Sequence, residues 1–207
     1  MPRVIATAVA LLSGAACLCA APTFVNAEPW RGSHRFGIGL RSTDLSLESS
    51  QNPCCAMALR GSGGHLRVGV GHRWELELTG EQTSGDAAGG ALTRTAHATT
   101  VSALVRVRPD QPWDWYLLWG IGGTRDHVRY TRADGSAGEQ SFQHTHVHLG
   151  IGFELRCNHL ALGAEARAVG MARDDTALDG PTYRGVDGPV PYEASGGQLS
   201  LTATWYF

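Results

Sequence analysis

No lysine occurs among the 207 residues, so all 17 basic side chains are arginine, and against 19 acidic residues they leave a formal net charge of -2. Without a positive excess the chain carries no footprint for a phosphate backbone, which argues against nucleic acid as a partner. Long apolar runs are also missing. After residue 27 nothing approaches the run of about 18 apolar residues that a spanning helix needs, so a helical membrane protein is excluded. Cysteine is scarce: Cys17 and Cys19 lie near the N-terminus, leaving Cys54, Cys55 and Cys157. Adjacent Cα atoms are only about 3.8 Å apart, below the usual disulfide span, so Cys54 and Cys55 are poor partners for each other. Three thiols close no framework. Glycine is plentiful instead, with 27 residues, but it lacks the three-residue period of collagen.

The first 27 residues read as an export signal. Met1-Pro2-Arg3 is a short positive start, Val4 to Cys19 is mostly apolar, and Val25-Asn26-Ala27 puts small residues where a signal peptidase reads. Residues 28–34 are a leader, and residues 35–207 form one domain.

From Phe36 onward the dominant signal is alternation of apolar with polar or small residues, the mark of a strand with one apolar face. Val147, Leu149, Ile151, Phe153 and Leu155 alternate with His146, His148, Gly150, Gly152, Glu154 and Arg156; Leu199, Leu201, Ala203, Trp205 and Phe207 alternate with Ser200, Thr202, Thr204 and Tyr206. Six further segments follow the rule: 35–46, 64–71, 74–82, 95–108, 115–126 and 159–172. Short turns at 71–73, 109–114 and 157–158 alternate with long polar loops over about 47–63, 83–94, 127–143 and 173–197. Two segments fit less well. Leu45 and Leu47 are out of phase with Phe36, Ile38 and Leu40, which reads as a bulge or a strand end, and Leu118 makes 115–126 apolar on both faces.

Alternation alone does not say which face is outside. The polar face carries Arg41, Arg67, Glu75, Glu77, Glu81, Arg106, Arg108, Glu154, Arg156, Glu165 and Arg167 among many glycines. A narrow lumen suits this mixture, because glycine makes room for long side chains and arginine forks pair with carboxylates. Trp30, Trp74, Trp113, Trp115 and Trp205 gather at the short-turn end, with Trp119 further in, as an aromatic girdle; Tyr130, Phe142, Tyr183 and Tyr192 suggest a weaker belt at the other end. Lipid-facing strands must close into a barrel. The expected fold is therefore all-β: an eight-stranded antiparallel up-and-down transmembrane β-barrel.

With its signal peptide, its alternating segments and the ending Leu199-Ser200-Leu201-Thr202-Ala203-Thr204-Trp205-Tyr206-Phe207, the chain resembles the small eight-stranded outer-membrane β-barrels of Gram-negative bacteria, the group of the OmpA transmembrane domain and OmpX. The resemblance implies that Leu201, Ala203, Trp205 and Phe207 form the C-terminal assembly signal. It also implies the barrel assembly machinery as partner, outer-membrane lipids and lipopolysaccharide as surroundings, and an extracellular partner for the long loops, the short turns being periplasmic. The peptidoglycan-binding domain of full OmpA-type proteins has no counterpart here.

That fold carries many functions. A non-enzymatic structural or surface-interaction barrel with a plugged, salt-bridged lumen is the expectation, with a narrow channel for ions or small solutes as the alternative and a lipid-modifying enzyme behind it. No cofactor is implied. His144, His146 and His148 share one strand face, but same-face neighbours are about 7 Å apart, long for two ligands of one metal, and polar lumen positions explain them. A serine hydrolase needs a base beside its serine; Ser136, Ser141 and Ser195 fall in loops with no evident base or orienting acid, and His144-Thr145-His146 lacks the serine that a deacylase pattern requires. Glu75, Glu77 and Glu81 read as partners of lumen arginines.

Overall fold

The computed structural model describes residues 35–48, 57–132, 134–173 and 193–207. The export signal, the leader with Trp30, the Cys54–Cys55 pair, Tyr183 and Tyr192 lie outside the described residues. Eight strands follow in chain order: β1 (Phe36–Glu48), β2 (Met57–Gly69), β3 (Trp74–Ala87), β4 (Leu92–Arg106), β5 (Trp113–Thr131), β6 (Ala137–Cys157), β7 (Leu160–Arg173) and β8 (Glu193–Tyr206). Each pairs antiparallel with the next and β8 pairs with β1, closing the sheet as the sequence pattern requires. The seam is fastened by Phe207, whose N–H donates to the Phe36 carbonyl at 2.8 Å while its own carbonyl accepts from Arg35 at 3.2 Å.

The register fixes the size of the barrel. Stepping sideways from Phe36 through Val68, Leu76, Ala103, Trp119, Leu149, Ala168 and Gly197 returns to β1 at Ser46, a stagger of ten residues (36 to 46). With about 3.3 Å per residue and about 4.7 Å between strands, that stagger tilts eight strands by roughly 40° and leaves a radius of about 8 Å, which side chains can fill.

Outward residues divide into two zones. A belt of Ile38, Leu40, Leu66, Val68, Leu76, Leu78, Val101, Leu117, Ile121, Val147, Leu149, Ile151 and Leu199 is exposed around the barrel. On β5 it runs from Trp113 to Ile121, about 20 Å of height at this tilt, close to the apolar band of a membrane barrel. Beyond it the outward positions turn polar, with Ser42, Ser46, Glu48, Arg60, Gln82, Asp86, His97, Arg125, Arg129, Glu139 and Gln143. The inward positions turn apolar at the same height: Leu45, Leu47, Met57, Leu59, Leu92, Ala96, Val128, Tyr130, Val169 and Met171 form one buried cluster. The strands thus continue beyond the belt as a barrel with a water-soluble polarity.

This inversion corrects the loop assignments. Leu45 and Leu47 lie within an unbroken β1 and face inward. The stretch 83–94 is mostly strand, with a tight turn at Ala88–Gly90 in which Gly89 (φ 65°) and Gly90 (φ 89°) take the left-handed backbone that glycine permits. The stretch 127–143 is mostly the β5–β6 hairpin, paired as far as Thr131 and Ala137. Leu118 packs inside with Leu104 and Tyr116, so β5 obeys the rule of alternation with an apolar residue on its inner face.

Several inward rings lie directly opposite glycine on the neighbouring strand. Tyr116 faces Gly152 and His148 faces Gly120, while Tyr206 faces Gly37 and His65 faces Gly39. In each case the ring occupies space that a glycine Cβ would enter. Close packing inside so narrow a barrel depends on these missing side chains.

Candidate functional site

The lumen is the chemically distinctive part of the molecule. Even-numbered positions of β4, β5 and β6 and odd-numbered positions of β1, β2, β3 and β7 point inward, so charged residues far apart in sequence meet at the axis. Arg67 on β2 binds three carboxylates at once: Glu77 at 2.7 Å, Glu154 at 2.8 Å and Glu165 at 2.8 Å. Arg106 reaches Glu75 at 2.5 Å, Glu154 at 2.6 Å and Asp114 at 3.3 Å, and donates to the Tyr206 hydroxyl at 2.9 Å. Arg156 pairs with Asp114 at 3.0 Å and Glu154 at 3.1 Å, and Arg167 with Glu165 at 2.6 Å and Glu77 at 2.9 Å. Arg41 lies 3.1 Å from Glu165 and donates to Ser200 at 2.9 Å. Arg67, Arg106 and Glu154 are completely buried. Losing hydration is costly for each ion, but several short charge-assisted bonds per guanidinium offset it.

Above this network the lumen becomes less charged. His146 meets the hydroxyls of Thr100 and Thr124 at 3.0 Å each, and His148 meets Ser102 at 3.1 Å. A cavity of about 20 Å³ lies among Leu59, Thr100, Thr124, His146, His148, Arg167 and Gln198. Further out, Asp126 takes Arg94 and His144 at 2.6 Å each, and around them lies the inner apolar cluster. Among the described residues no group of His, Cys, Asp and Glu is arranged to hold a metal ion.

Of the lumen residues inferred from sequence, Arg41, Arg67, Glu75, Glu77, Arg106, Glu154, Arg156, Glu165 and Arg167 meet at the axis, and Glu81 joins through Gln198 at 3.0 Å and Thr43 at 3.1 Å. Arg108 does not. β4 ends at Arg106, and Arg108 is exposed in the following turn with its guanidinium 4.5 Å from the centre of the Trp113 ring. Tyr206 follows from the alternation of the last strand, whereas Asp114 and Tyr116 stand outside the lumen set that the sequence predicts. The turn predicted over 109–114 takes in Asp114, whereas β5 already includes it, in phase with Tyr116 and Leu118. Tyr116 donates to Glu165 at 2.7 Å.

The outer wall carries the tryptophans. Trp74, Trp113, Trp115, Trp119 and Trp205 are all exposed; Trp74 meets Trp119 edge to face at 5.7 Å, and Trp205 stacks on His159 at 5.4 Å. Leu201, Ala203, Trp205 and Phe207 share this outward face, with Phe207 against Phe36 at 5.9 Å. Tyr130, expected in a second belt, is buried in the inner cluster instead, because even-numbered positions of β5 face inward and the lumen is apolar at that height. Cys157 ends β6 as a free thiol.

Comparison with known proteins agrees with this architecture. A family model described as outer membrane protein beta-barrel domain matches residues 8–207. Among solved structures, Neisserial surface protein A is similar at a TM-score of 0.58 and 15% identity, over 83% of this chain and 97% of that one. Ail, the attachment invasion locus protein of Yersinia pestis, is similar at 0.51 and 14%, over 84% and 99%. At these identities the likeness is one of fold. No curated protein matches the chain.

Proposed function

The chain belongs to the outer membrane protein beta-barrel domain family, and from that premise we propose that it is a structural or surface-interaction barrel whose lumen is closed to solutes. The observation that carries this reading is a double seal. Five arginines (Arg41, Arg67, Arg106, Arg156 and Arg167) cross-link carboxylates from β3, β5, β6 and β7 through the middle of the barrel, and the apolar cluster from Leu45 to Met171 fills the outer end. An ion would have to break several short ion pairs and then pass the Arg94–Asp126–His144 contacts that the apolar cluster encloses. Neither step is compatible with an open pore.

In this reading the exposed tryptophans anchor the barrel at the periplasmic membrane interface, the short turns face the periplasm, and the outer half projects from the cell into the lipopolysaccharide layer. Assembly runs through the barrel assembly machinery, with Leu201, Ala203, Trp205 and Phe207 as its signal. The projecting half and its loops offer the contact surface for an extracellular partner. Ail, similar in fold, has been crystallised in complex with the heparin analogue sucrose octasulfate. Purified protein in planar bilayers is expected to give no stable conductance steps. Discrete, long-lived openings would overturn the closed-lumen reading in favour of a narrow channel.

A further inference from the structure

The outer face of the β5–β6 hairpin brings His127 together with Glu139 and Ser141, which lie 12 and 14 positions further along the sequence. His127 on β5 lies directly across from Ser141 on β6, and Arg129 across from Glu139. The His127 Nδ1 is 3.2 Å from the Ser141 Oγ, and its Nε2 is 3.0 Å from the Glu139 Oε1. A carboxylate accepting from Nε2–H leaves the lone pair on Nδ1, where it accepts the Ser141 O–H. This is the arrangement of nucleophile, base and orienting acid that activates a serine. Arg129 approaches the other oxygen of Glu139 at 3.5 Å. One outward pair nearer the belt, Arg125 lies across from Gln143, and both are exposed. Ser136 has no such neighbour, being bound to Asp134 at 2.7 Å and Arg132 at 3.2 Å.

We propose that Ser141, His127 and Glu139 form a hydrolytic site for short-chain acyl esters carried on anionic molecules outside the membrane. Ser141 Oγ adds to the ester carbonyl carbon as its proton passes to His127 Nδ1. The intermediate collapses by cleavage of the carbon–oxygen bond to the alcohol, which leaves with that proton. Water then adds to the acyl-serine and gives a proton to Nδ1. The bond from acyl carbon to Oγ breaks, the carboxylic acid departs, and the proton returns to Ser141. Arg125 and Gln143, one outward pair along the hairpin, are the nearest donors in register for the oxyanion formed in each half. Glu139 is a positioning residue, acting through the imidazole.

The substrate class follows from place and charge. His127 is six residues beyond Ile121, the last belt residue of β5, or about 15 Å above the belt at this tilt. An acyl chain buried in the membrane does not reach that height, whereas an ester on a surface glycan or other polar carrier does. Arg125 and Arg129 flank His127 on the outward face of β5 and favour a carrier of negative charge.

The test uses the full-length, detergent-folded barrel with 4-nitrophenyl acetate, 4-nitrophenyl palmitate and a fluorophosphonate probe. The expected result is hydrolysis of the acetate ester in preference to the palmitate, phosphonylation of Ser141 located by mass spectrometry, and loss of about 100-fold or more in kcat/KM in both Ser141→Ala and His127→Ala. Glu139→Gln is expected to lower kcat while leaving KM nearly unchanged. Both Ser141 and Glu139 are exposed, and heat-modifiable electrophoresis verifies that each variant folds. Labelling of the wild-type protein does not depend on any variant. Absence of phosphonylation at Ser141, or acetate hydrolysis within twofold of wild type in Ser141→Ala, would overturn the site; faster cleavage of palmitate would overturn the substrate class.

Discussion

Arg67 concentrates the electrostatics of the lumen in one side chain. Its guanidinium has no exposure and touches carboxylates of β3, β6 and β7, so Arg67→Met leaves three buried carboxylates each short of one ion-pair partner. The expected cost is about 3–5 kcal/mol, because the lost partner leaves buried charge uncompensated; urea unfolding in lipid vesicles measures it. Arg108→Met provides the contrast. That residue contributes a cation–π contact in an exposed turn, and its loss is expected to cost no more than about 1 kcal/mol. Equal destabilisation by the two substitutions would mean that the network does not hold the barrel. Arg67 was legible from alternation alone, since its phase and its neighbours Glu75 and Glu77 mark a polar face. The error at Arg108 has a local cause. Alternation counts on through the end of a strand, while the backbone turns at Val107 and releases the following side chains to solvent.

At the scale of the element, β5 shows what alternation can and cannot say. Trp113, Trp115, Leu117, Trp119 and Ile121 face outward, then Gly123, Arg125, His127 and Arg129 occupy the same face. The backbone period never changes; only the solvent outside does. A search for apolar-out strands therefore stops at the top of the belt and mistakes the rest for loop. A cysteine placed at Arg125, in a chain whose native cysteines are replaced by serine, is expected to react with a membrane-impermeant thiol reagent on intact cells. One placed at Ile121 is expected to stay unmodified. Equal reactivity at both sites would overturn the boundary drawn between Ile121 and Arg125, and modification only after the cells are broken would reverse the orientation.

Over the whole molecule, closure joins the two ends of the chain. β1 and β8 are paired from Gly37 opposite Tyr206 to Glu48 opposite Ser195, so the barrel is incomplete until its last strand arrives. Phe207 contributes two backbone hydrogen bonds and a ring contact at that seam. Phe207→Ala retains the backbone bonds but removes the terminal aromatic, and it is expected to lower the amount of heat-modifiable, folded protein in outer-membrane fractions several-fold. An unchanged amount would remove the terminal aromatic from the assembly step.

Alternation along the chain by itself determined the all-β class, the number of strands and most of the lumen-facing charges, because strand periodicity is local and each residue's side follows from its neighbours two positions away. Only the tertiary structure decided which charge meets which. Arg67 and Glu165 are 98 residues apart, and the stagger that closes the barrel, not any local pattern, brings them within 2.8 Å. It also decided where polarity inverts. Whether a leucine such as Leu45 faces inward depends on the height at which lipid gives way to water, and that height is set by the tilt and closure of all eight strands together.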